Sequence, residues 1–169
     1  IKKSLVFPFR YLTAYIQIAK LTPSNSMRAV LKALNKALDI SCANVPKFEG
    51  ETLIVLDTSG SMTEPCNYKS EMTPAQMGAV FAAILAKSND CDFMTFDKTA
   101  RYVHLNALDS TITMINSIKY NGTDTCFETI FATANKRYDR VIIFSDQQGW
   151  NDSDLNRTYS AYKKRYDAN

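Results

Sequence analysis

LIVLDTSGSM, residues 53–62, is a run of apolar, strand-forming side chains followed directly by a cluster of side-chain oxygens. The apolar part, TLIVL at 52–56, has the length of a β-strand and no polar alternation. Strands of this kind are buried on both faces and are typical of parallel sheets covered by helices. In such sheets ligands bind outside the carboxyl ends of the strands, which is where Asp57, Ser59 and Ser61 are located. This stretch therefore predicts both the class of fold and the edge at which a site would lie.

The chain after this stretch alternates helix-like and strand-like segments. Helices are predicted at 74–88, 107–118 and 126–136, and strands at 91–96, 100–105 and 140–145. Thr73 and Pro74 form a helix-start signal, and a final amphipathic helix carries Leu155, Tyr159, Tyr162 and Tyr166 at helical spacing. The strands 91–96 and 100–105 are close enough to form a hairpin. The alternation predicts an α/β fold of Rossmann-like type, with a mostly parallel sheet and helices on both faces.

Two short amphipathic helices are predicted before the sheet, at 5–20 and 26–38, and PKFEG at 46–50 marks a junction. Alone they bury little apolar surface, so we expect them to complete a larger helical array or to dock on the predicted sheet domain. Residues 1–47 carry eight basic side chains and a single acid, Asp39, whereas residues 48–169 carry twelve basic and sixteen acidic ones. This asymmetry suggests that the first segment meets phosphate or an acidic surface, and a solvated basic helix face is the alternative.

Hard oxygen donors gather at the predicted sheet edge. Asp57, Ser59 and Ser61 follow the first strand, and Asp146 follows the strand at 140–145 in the same way. Magnesium prefers oxygen ligands of this kind. With only two carboxylates the charge around a divalent cation is close to zero, so the ion could still accept an anionic oxygen from a partner. Taken one by one, these residues would be better explained as helix caps, turn residues or surface acids.

The pattern Asp57-x-Ser59-x-Ser61 after an apolar strand resembles the metal-ion-dependent adhesion site of von Willebrand factor A domains. That pattern expects a later loop threonine and an aspartate after a further strand, and Thr123 in NGTDT and Asp146 in IIFSDQQ match in type and order. The resemblance covers roughly residues 50 to 167. It implies that Mg²⁺ or Mn²⁺ is held by hydroxyls of Ser59, Ser61 and Thr123, with Asp57 and Asp146 acting partly through water.

A narrower resemblance concerns FPFRYLTAY, GTDT and IIFSDQQ, which are similar to the Ro autoantigen family. In that family a TROVE module, a ring of helical repeats, is closed by a von Willebrand A domain. The resemblance implies that residues 1–46 are the terminal helices of such a module and that residues 47–169 are the von Willebrand A domain, incomplete at its C-terminus. It also implies binding of small noncoding or misfolded RNA through the basic helical part. The candidate RNA-binding residues are Lys2, Lys3, Arg10 and Lys20.

An enzymatic function is less favoured by the sequence. Phosphatases of haloacid-dehalogenase type need a second carboxylate two residues after the first, where this chain has Ser59. The single histidine, His104, lies in a predicted strand, and no phosphate-binding loop, dinucleotide fingerprint or H-E-x-x-H motif occurs. We therefore expect a binding protein rather than an enzyme. The alternative to RNA binding is an interaction module whose metal captures a carboxylate of another protein.

The composition predicts a soluble, cytoplasmic protein without a membrane partner. A content of 46% hydrophobic and 22% charged residues is ordinary for a globular domain. The apolar runs stop short of the roughly 18 residues that a membrane-spanning helix needs, and no basic leader precedes an apolar segment. Four cysteines occur without a C-x-x-C pair, so we expect reduced thiols rather than a zinc site or a disulfide framework.

Overall fold

The computed structural model describes residues 6–42, 45–65, 72–149 and 153–168. Its helices are α1 (Pro8–Ala19), α2 (Asn25–Ser41), α3 (Pro74–Ser88), α4 (Thr111–Ser117), α5 (Glu128–Thr133) and α6 (Ser153–Tyr166). Its strands are β1 (Thr52–Asp57), β2 (Cys91–Phe96), β3 (Ala100–Tyr102) and β4 (Arg140–Phe144). The predicted order of helices and strands is confirmed in these parts of the chain.

The four strands form one sheet in the order β3-β2-β1-β4. The central strand β1 runs parallel to both neighbours, with Leu56 opposite Thr95 on β2 and opposite Phe144 on β4. Among the strands of the described residues, only the β2–β3 hairpin is antiparallel. The predicted α/β fold with a mostly parallel sheet is therefore confirmed, and the carboxyl ends of β1, β2 and β4 lie at the same edge of the sheet.

The two faces of β1 belong to two separate cores. Ile54 and Leu56 pack against helices α1 to α4, whereas Leu53 and Val55 pack against α5 and α6. All four side chains are completely buried. Burial of each such side chain contributes about 1.5–3 kcal/mol, which explains why the segment carries no polar alternation.

Helix α3 begins and ends where the sequence predicts. The Thr73 hydroxyl accepts a hydrogen bond from the backbone N–H of Gln76, and the Gln76 side chain accepts one from the backbone N–H of Thr73, which is a complete capping box. Further along the helix, a Cβ at Gly78 would lie 2.7 Å from Leu56 Cδ1. The glycine therefore allows α3 to approach the centre of the sheet closely.

The N-terminal helices dock on the sheet domain. Leu12 of α1 and Leu38 of α2 are buried in the same core as Ile54. Beside them the Asp39 carboxylate accepts hydrogen bonds from Lys87 Nζ at 2.8 Å and from the Thr111 hydroxyl at 2.6 Å and backbone N–H at 3.0 Å. Asp39 thus ties α2 to the end of α3 and to the start of α4.

Three predicted elements are shorter in the structure than the sequence indicates. The strand predicted at 100–105 ends at Tyr102, and His104 beyond it is exposed. The helix predicted at 107–118 starts at Thr111, because Ser110 accepts a hydrogen bond from the N–H of Thr113 and caps it. Leu108, an apolar residue of the predicted helix, is 94% exposed in the preceding turn. The helix predicted at 126–136 spans only Glu128–Thr133.

Within the described parts of the chain, none of the helices is both long and apolar enough to cross a membrane. Three cysteines, Cys42, Cys91 and Cys126, are free thiols. Cys66, like Lys2 and Lys3, lies outside the described residues.

Candidate metal centre

Asp57 is the last residue of β1 and is completely buried. Its Oδ1 accepts a hydrogen bond of 2.9 Å from the backbone N–H of Ser59, and its Oδ2 accepts one of 2.6 Å from the Ser145 hydroxyl. Among the described residues no basic side chain forms an ion pair with it. The carboxylate is therefore held by two neutral donors, which leaves its charge available to a cation.

Ser59 has a buried hydroxyl, and its Oγ has no hydrogen-bond partner among the residues that the structure describes. Only 1% of the residue is exposed. Leaving a buried hydroxyl unpaired costs about 1–3 kcal/mol, so its position calls for a partner beyond the described residues, such as a bound cation. Ser61 lies two residues later in a short 3₁₀ turn, Ser61–Thr63, and is half-buried. The hydroxyls of this loop are therefore compatible with cation ligands.

The loop that contains Thr123 lies against the loop after β1. The backbone N–H of Gly60 donates to the carbonyl of Thr123 at 2.9 Å, and that of Gly122 donates to the carbonyl of Thr58 at 3.1 Å. A Cβ at Gly60 would lie 3.3 Å from the Gly122 carbonyl oxygen, so the two loops touch through backbone. Thr123 itself is exposed, and its hydroxyl accepts a hydrogen bond of 3.3 Å from the N–H of Lys98.

Asp146 lies just after β4 and is half-buried. Its Oδ1 accepts a hydrogen bond of 3.2 Å from the N–H of Gln148, and the residue lines a cleft of about 260 Å³ with Met62 and Phe81. The structure thus brings the loops bearing Asp57, Ser59, Ser61, Thr123 and Asp146 to one edge of the sheet. Their five side chains are not hydrogen-bonded to one another, so their joint action on a cation stays a prediction.

Two residues of this edge are not identified by the sequence patterns. Ser145 joins β4 to Asp57 and also accepts a hydrogen bond of 2.9 Å from the N–H of Gln147. Asp97, which the sequence places only in a hairpin turn, is 2% exposed at the end of β2. Asp97 directly follows an apolar strand, as Asp57 does, and this is the sequence signal that identifies it.

Asp97 links the β2–β3 turn to the loop of Thr123. Its carboxylate accepts hydrogen bonds from the N–H of Thr99 at 3.0 Å and from the side chains of Arg101 and Asn121, both at 2.7 Å. Its carbonyl accepts one of 3.0 Å from the N–H of Cys126. Desolvation on burial opposes ionisation, but these hydrogen bonds and the Arg101 charge outweigh it, and the pKa of Asp97 is lowered. Asp97 is therefore an ionised anchor for both loops.

Carboxylates and thiolates of the described residues do not by themselves form a metal site. In the described ranges of the chain, no three His, Cys, Asp or Glu side chains come together as a group that could hold a metal ion. A carboxylate-rich or thiolate site is thus not formed by these residues. Asp57 and Asp146 would need the serine and threonine hydroxyls to complete an oxygen shell.

The structure describes two of the four candidate RNA-binding residues. Arg10 and Lys20 are both exposed on α1 or at its end, and the Arg10 guanidinium lies 6.0 Å from the centre of the Phe9 ring. At a rise of about 1.5 Å per residue they are separated by roughly 15 Å along the helix. They do not form one compact cluster.

Comparisons with known proteins agree with this fold. A family model described as the Ro60 vWA domain matches residues 51–169. The RNA-binding protein RO60 of Deinococcus radiodurans is 28% identical over 131 residues, which is 72% of this chain and 24% of that protein. The crystal structure of the Deinococcus radiodurans RO (RSR) protein is similar with a TM-score of 0.67 and 19% identity, over 94% of this chain and 35% of that one. The chain therefore spans about a quarter of the curated relative and about a third of the solved chain.

Proposed function

The chain belongs to the family of Ro60 von Willebrand A domains, and on that premise we propose that it is part of a Ro-type RNA-binding protein. The observation that carries the proposal is the match of residues 51–169 to that family, together with a relative named as RNA-binding. The partner would be small noncoding or misfolded RNA. The basic helical segment would supply most of the affinity, since neutralising phosphates dominates non-specific RNA binding.

The proposal includes a divalent cation, Mg²⁺ or Mn²⁺, at the carboxyl edge of the sheet. Asp57, Ser59, Ser61, Thr123 and Asp146 would hold it, and the unpaired, buried hydroxyl of Ser59 beside the buried carboxylate of Asp57 supports this assignment. The bound ion would supply a Lewis-acidic position for an anionic oxygen, such as a carboxylate of a protein partner. The chain's own contribution is to keep the donors in place, through Ser145 on Asp57 and Asp97 on the neighbouring loops. The proposal assigns no catalytic step.

Gel-shift titration of the whole chain tests the RNA assignment. The probe is a structured RNA with a single-stranded 3′ end, titrated at several salt concentrations between about 50 and 200 mM. We expect binding that weakens steeply with salt. Neutralising Lys2, Lys3, Arg10 and Lys20 to glutamine should weaken it further, because each change removes a positive charge that could contact phosphate.

The matched control neutralises four exposed basic residues of the sheet domain, Lys119, Arg157, Lys164 and Arg165. If the wild-type chain does not shift this RNA even at low salt, the RNA assignment is wrong. In that case the alternative gains support, namely a metal-dependent interaction module for a protein carboxylate. The near-neutral ligand set, with Asp57 and Asp146 as its two carboxylates, is the observation that favours this alternative, because an ion held there can still accept a partner's carboxylate.

A further inference from the structure

Helix α2 carries three basic side chains, Arg28, Lys32 and Lys36, at intervals of four residues. We propose that these residues, the α2 basic stripe, bind the phosphate backbone of single-stranded RNA. The inference rests on the proposed function and assigns to it a surface that differs from the residues suggested by the sequence. It is carried by the exposure, the spacing and the unbalanced charge of the stripe.

The buried side of α2 determines which way the basic stripe faces. Leu38 is completely buried and Ala37 is 7% exposed, whereas all three residues of the stripe are exposed. Residues four apart lie on nearly the same side of a helix, about 6 Å further along its axis. The stripe therefore presents three positive charges over roughly 12 Å in one line, which a single polynucleotide strand can follow.

The charge of the stripe is not balanced within the described chain. None of its three residues forms an ion pair with a described acid. The only acid of α2 is Asp39, and its carboxylate already accepts hydrogen bonds from Lys87 and Thr111. Within the described residues the stripe therefore has no counter-charge.

Helix stability does not account for the stripe. Like charges at i and i+4 destabilise a helix by about 0.2–0.5 kcal/mol per pair. Arg28 lies near the N-terminus of α2, where the helix dipole disfavours a positive charge, and the last turn of α2 contains no basic residue. The placement is thus unfavourable for the isolated fold and favourable for contact with a polyanion.

The two N-terminal helices also carry small exposed side chains and an exposed aromatic ring. Ala29 and Ala33, the residues that follow Arg28 and Lys32, are small and exposed. Phe7, at the start of α1, is 61% exposed and stacks on Phe9 with ring centres 5.7 Å apart. Because α1 and α2 are packed helices joined by a short loop, the start of α1 lies near the end of α2 that carries Lys36. Positive charges and an exposed aromatic ring on the same pair of helices are typical of proteins that bind single strands.

Salt-dependent binding of an oligouridylate by the whole chain tests the inference. We expect the variant R28Q/K32Q/K36Q to bind about tenfold more weakly or worse at low salt, and the slope of log K against log salt to become shallower by about 2. The control K119Q/K164Q/R165Q removes the same charge from exposed positions of the sheet domain and should leave the slope unchanged. Circular dichroism checks that both variants are folded.

Two further probes separate RNA from other anions. The variant F7L should weaken binding of the oligouridylate several-fold and leave binding of polyphosphate unchanged, because only the RNA has bases to stack. If the two triple variants reduce the slope of log K against log salt equally, the assignment of RNA binding to the stripe is wrong. RNA binding by the chain itself would still stand. Absence of RNA binding by the wild type would overturn the proposed function itself. If polyglutamate displaces the oligouridylate as well as RNA does at equal charge, the stripe binds anions in general. That result would contradict the assignment to RNA.

Discussion

At the scale of single residues, the candidate metal centre depends on how one buried carboxylate is held. Among the described residues Asp57 has no cationic partner, and within the same set its two oxygens accept hydrogen bonds only from Ser59 and Ser145. Asp97, by contrast, is balanced by Arg101. Two aspartates at the ends of adjacent strands therefore have different roles, one open to a cation and the other a structural anchor. The difference arises from their neighbours and not from their residue type.

Replacing Asp57 should abolish divalent-cation binding. We expect D57A to lose the Mg²⁺ and Mn²⁺ binding of the wild type in calorimetric titrations, because the change removes an anionic oxygen at the centre of the proposed ligand set. S145A should weaken binding without abolishing it, since Ser145 only orients Asp57. D90A, an exposed acid at the opposite edge of the sheet, is the control. Unchanged titration curves for D57A would refute the assignment.

At the scale of helices and strands, the accuracy of prediction depends on the strength of local signals. Helix α3 has a capping box and a proline at its first turn, and its predicted bounds are correct. Helices α4 and α5 have only seven and six residues, and their predicted bounds are too wide. Apolar residues at helical spacing, such as Leu108, indicate a longer helix than the structure has, because the cap at Ser110 starts the helix after them. A cap is a local hydrogen bond and is therefore more decisive than periodicity at a helix end.

Removing the cap of α3 should destabilise the protein measurably. T73A deletes the oxygen that accepts the 3.1 Å hydrogen bond from the N–H of Gln76, and we expect the free energy of unfolding to fall by about 1 kcal/mol. T73S keeps a hydroxyl at this position and should stay close to the wild type. Urea unfolding followed by circular dichroism measures both variants. A similar loss in T73S and T73A would argue against the capping hydrogen bond as the cause.

At the scale of the whole molecule, the described residues of the helical segment and the sheet domain share one core and the ionic contact between Asp39 and Lys87. Asp39 is the only acid in residues 1–47, and it bonds to Lys87 and Thr111 of the sheet domain. Desolvation opposes its ionisation, but the hydrogen bonds from Lys87 and Thr111 and the Lys87 charge outweigh this, and the pKa of Asp39 is lowered. Docking of the helices is therefore coupled to the ionisation of this carboxyl.

Acid should weaken the docking of α1 and α2. A carboxyl whose pKa is lowered by folding stabilises the native state above its unfolded pKa of about 3.9, and this contribution is lost as pH falls through the folded pKa. We therefore expect stability to decline below about pH 4. D39N should lower stability near neutral pH by about 1 kcal/mol, since neutral hydrogen bonds are weaker, and should flatten the acid decline.

Urea midpoints measured across the acid range test this expectation, with D90N as an exposed control. Asp92 and Asp97 also have lowered pKa values, because hydrogen bonds and neighbouring cations outweigh the desolvation that opposes ionisation, so part of the acid decline should persist in D39N. A decline as steep in D39N as in the wild type would exclude Asp39 from the effect.

Local patterns in the sequence were sufficient to predict the class of fold, the order of the helices and strands and the burial of β1. They also predicted which loops carry the candidate ligands. These depend on periodicity, caps and strand ends, which involve neighbours along the chain. The tertiary structure alone decided that Ser145 reaches Asp57 across 88 residues and that Asp39 reaches Thr111 across 72. It also decided which side of α2 faces the core, and so which basic side chains remain exposed. Contacts between residues far apart in the sequence depend on how whole helices and strands pack. Local sequence patterns therefore cannot predict which distant side chain will lie beside a given atom.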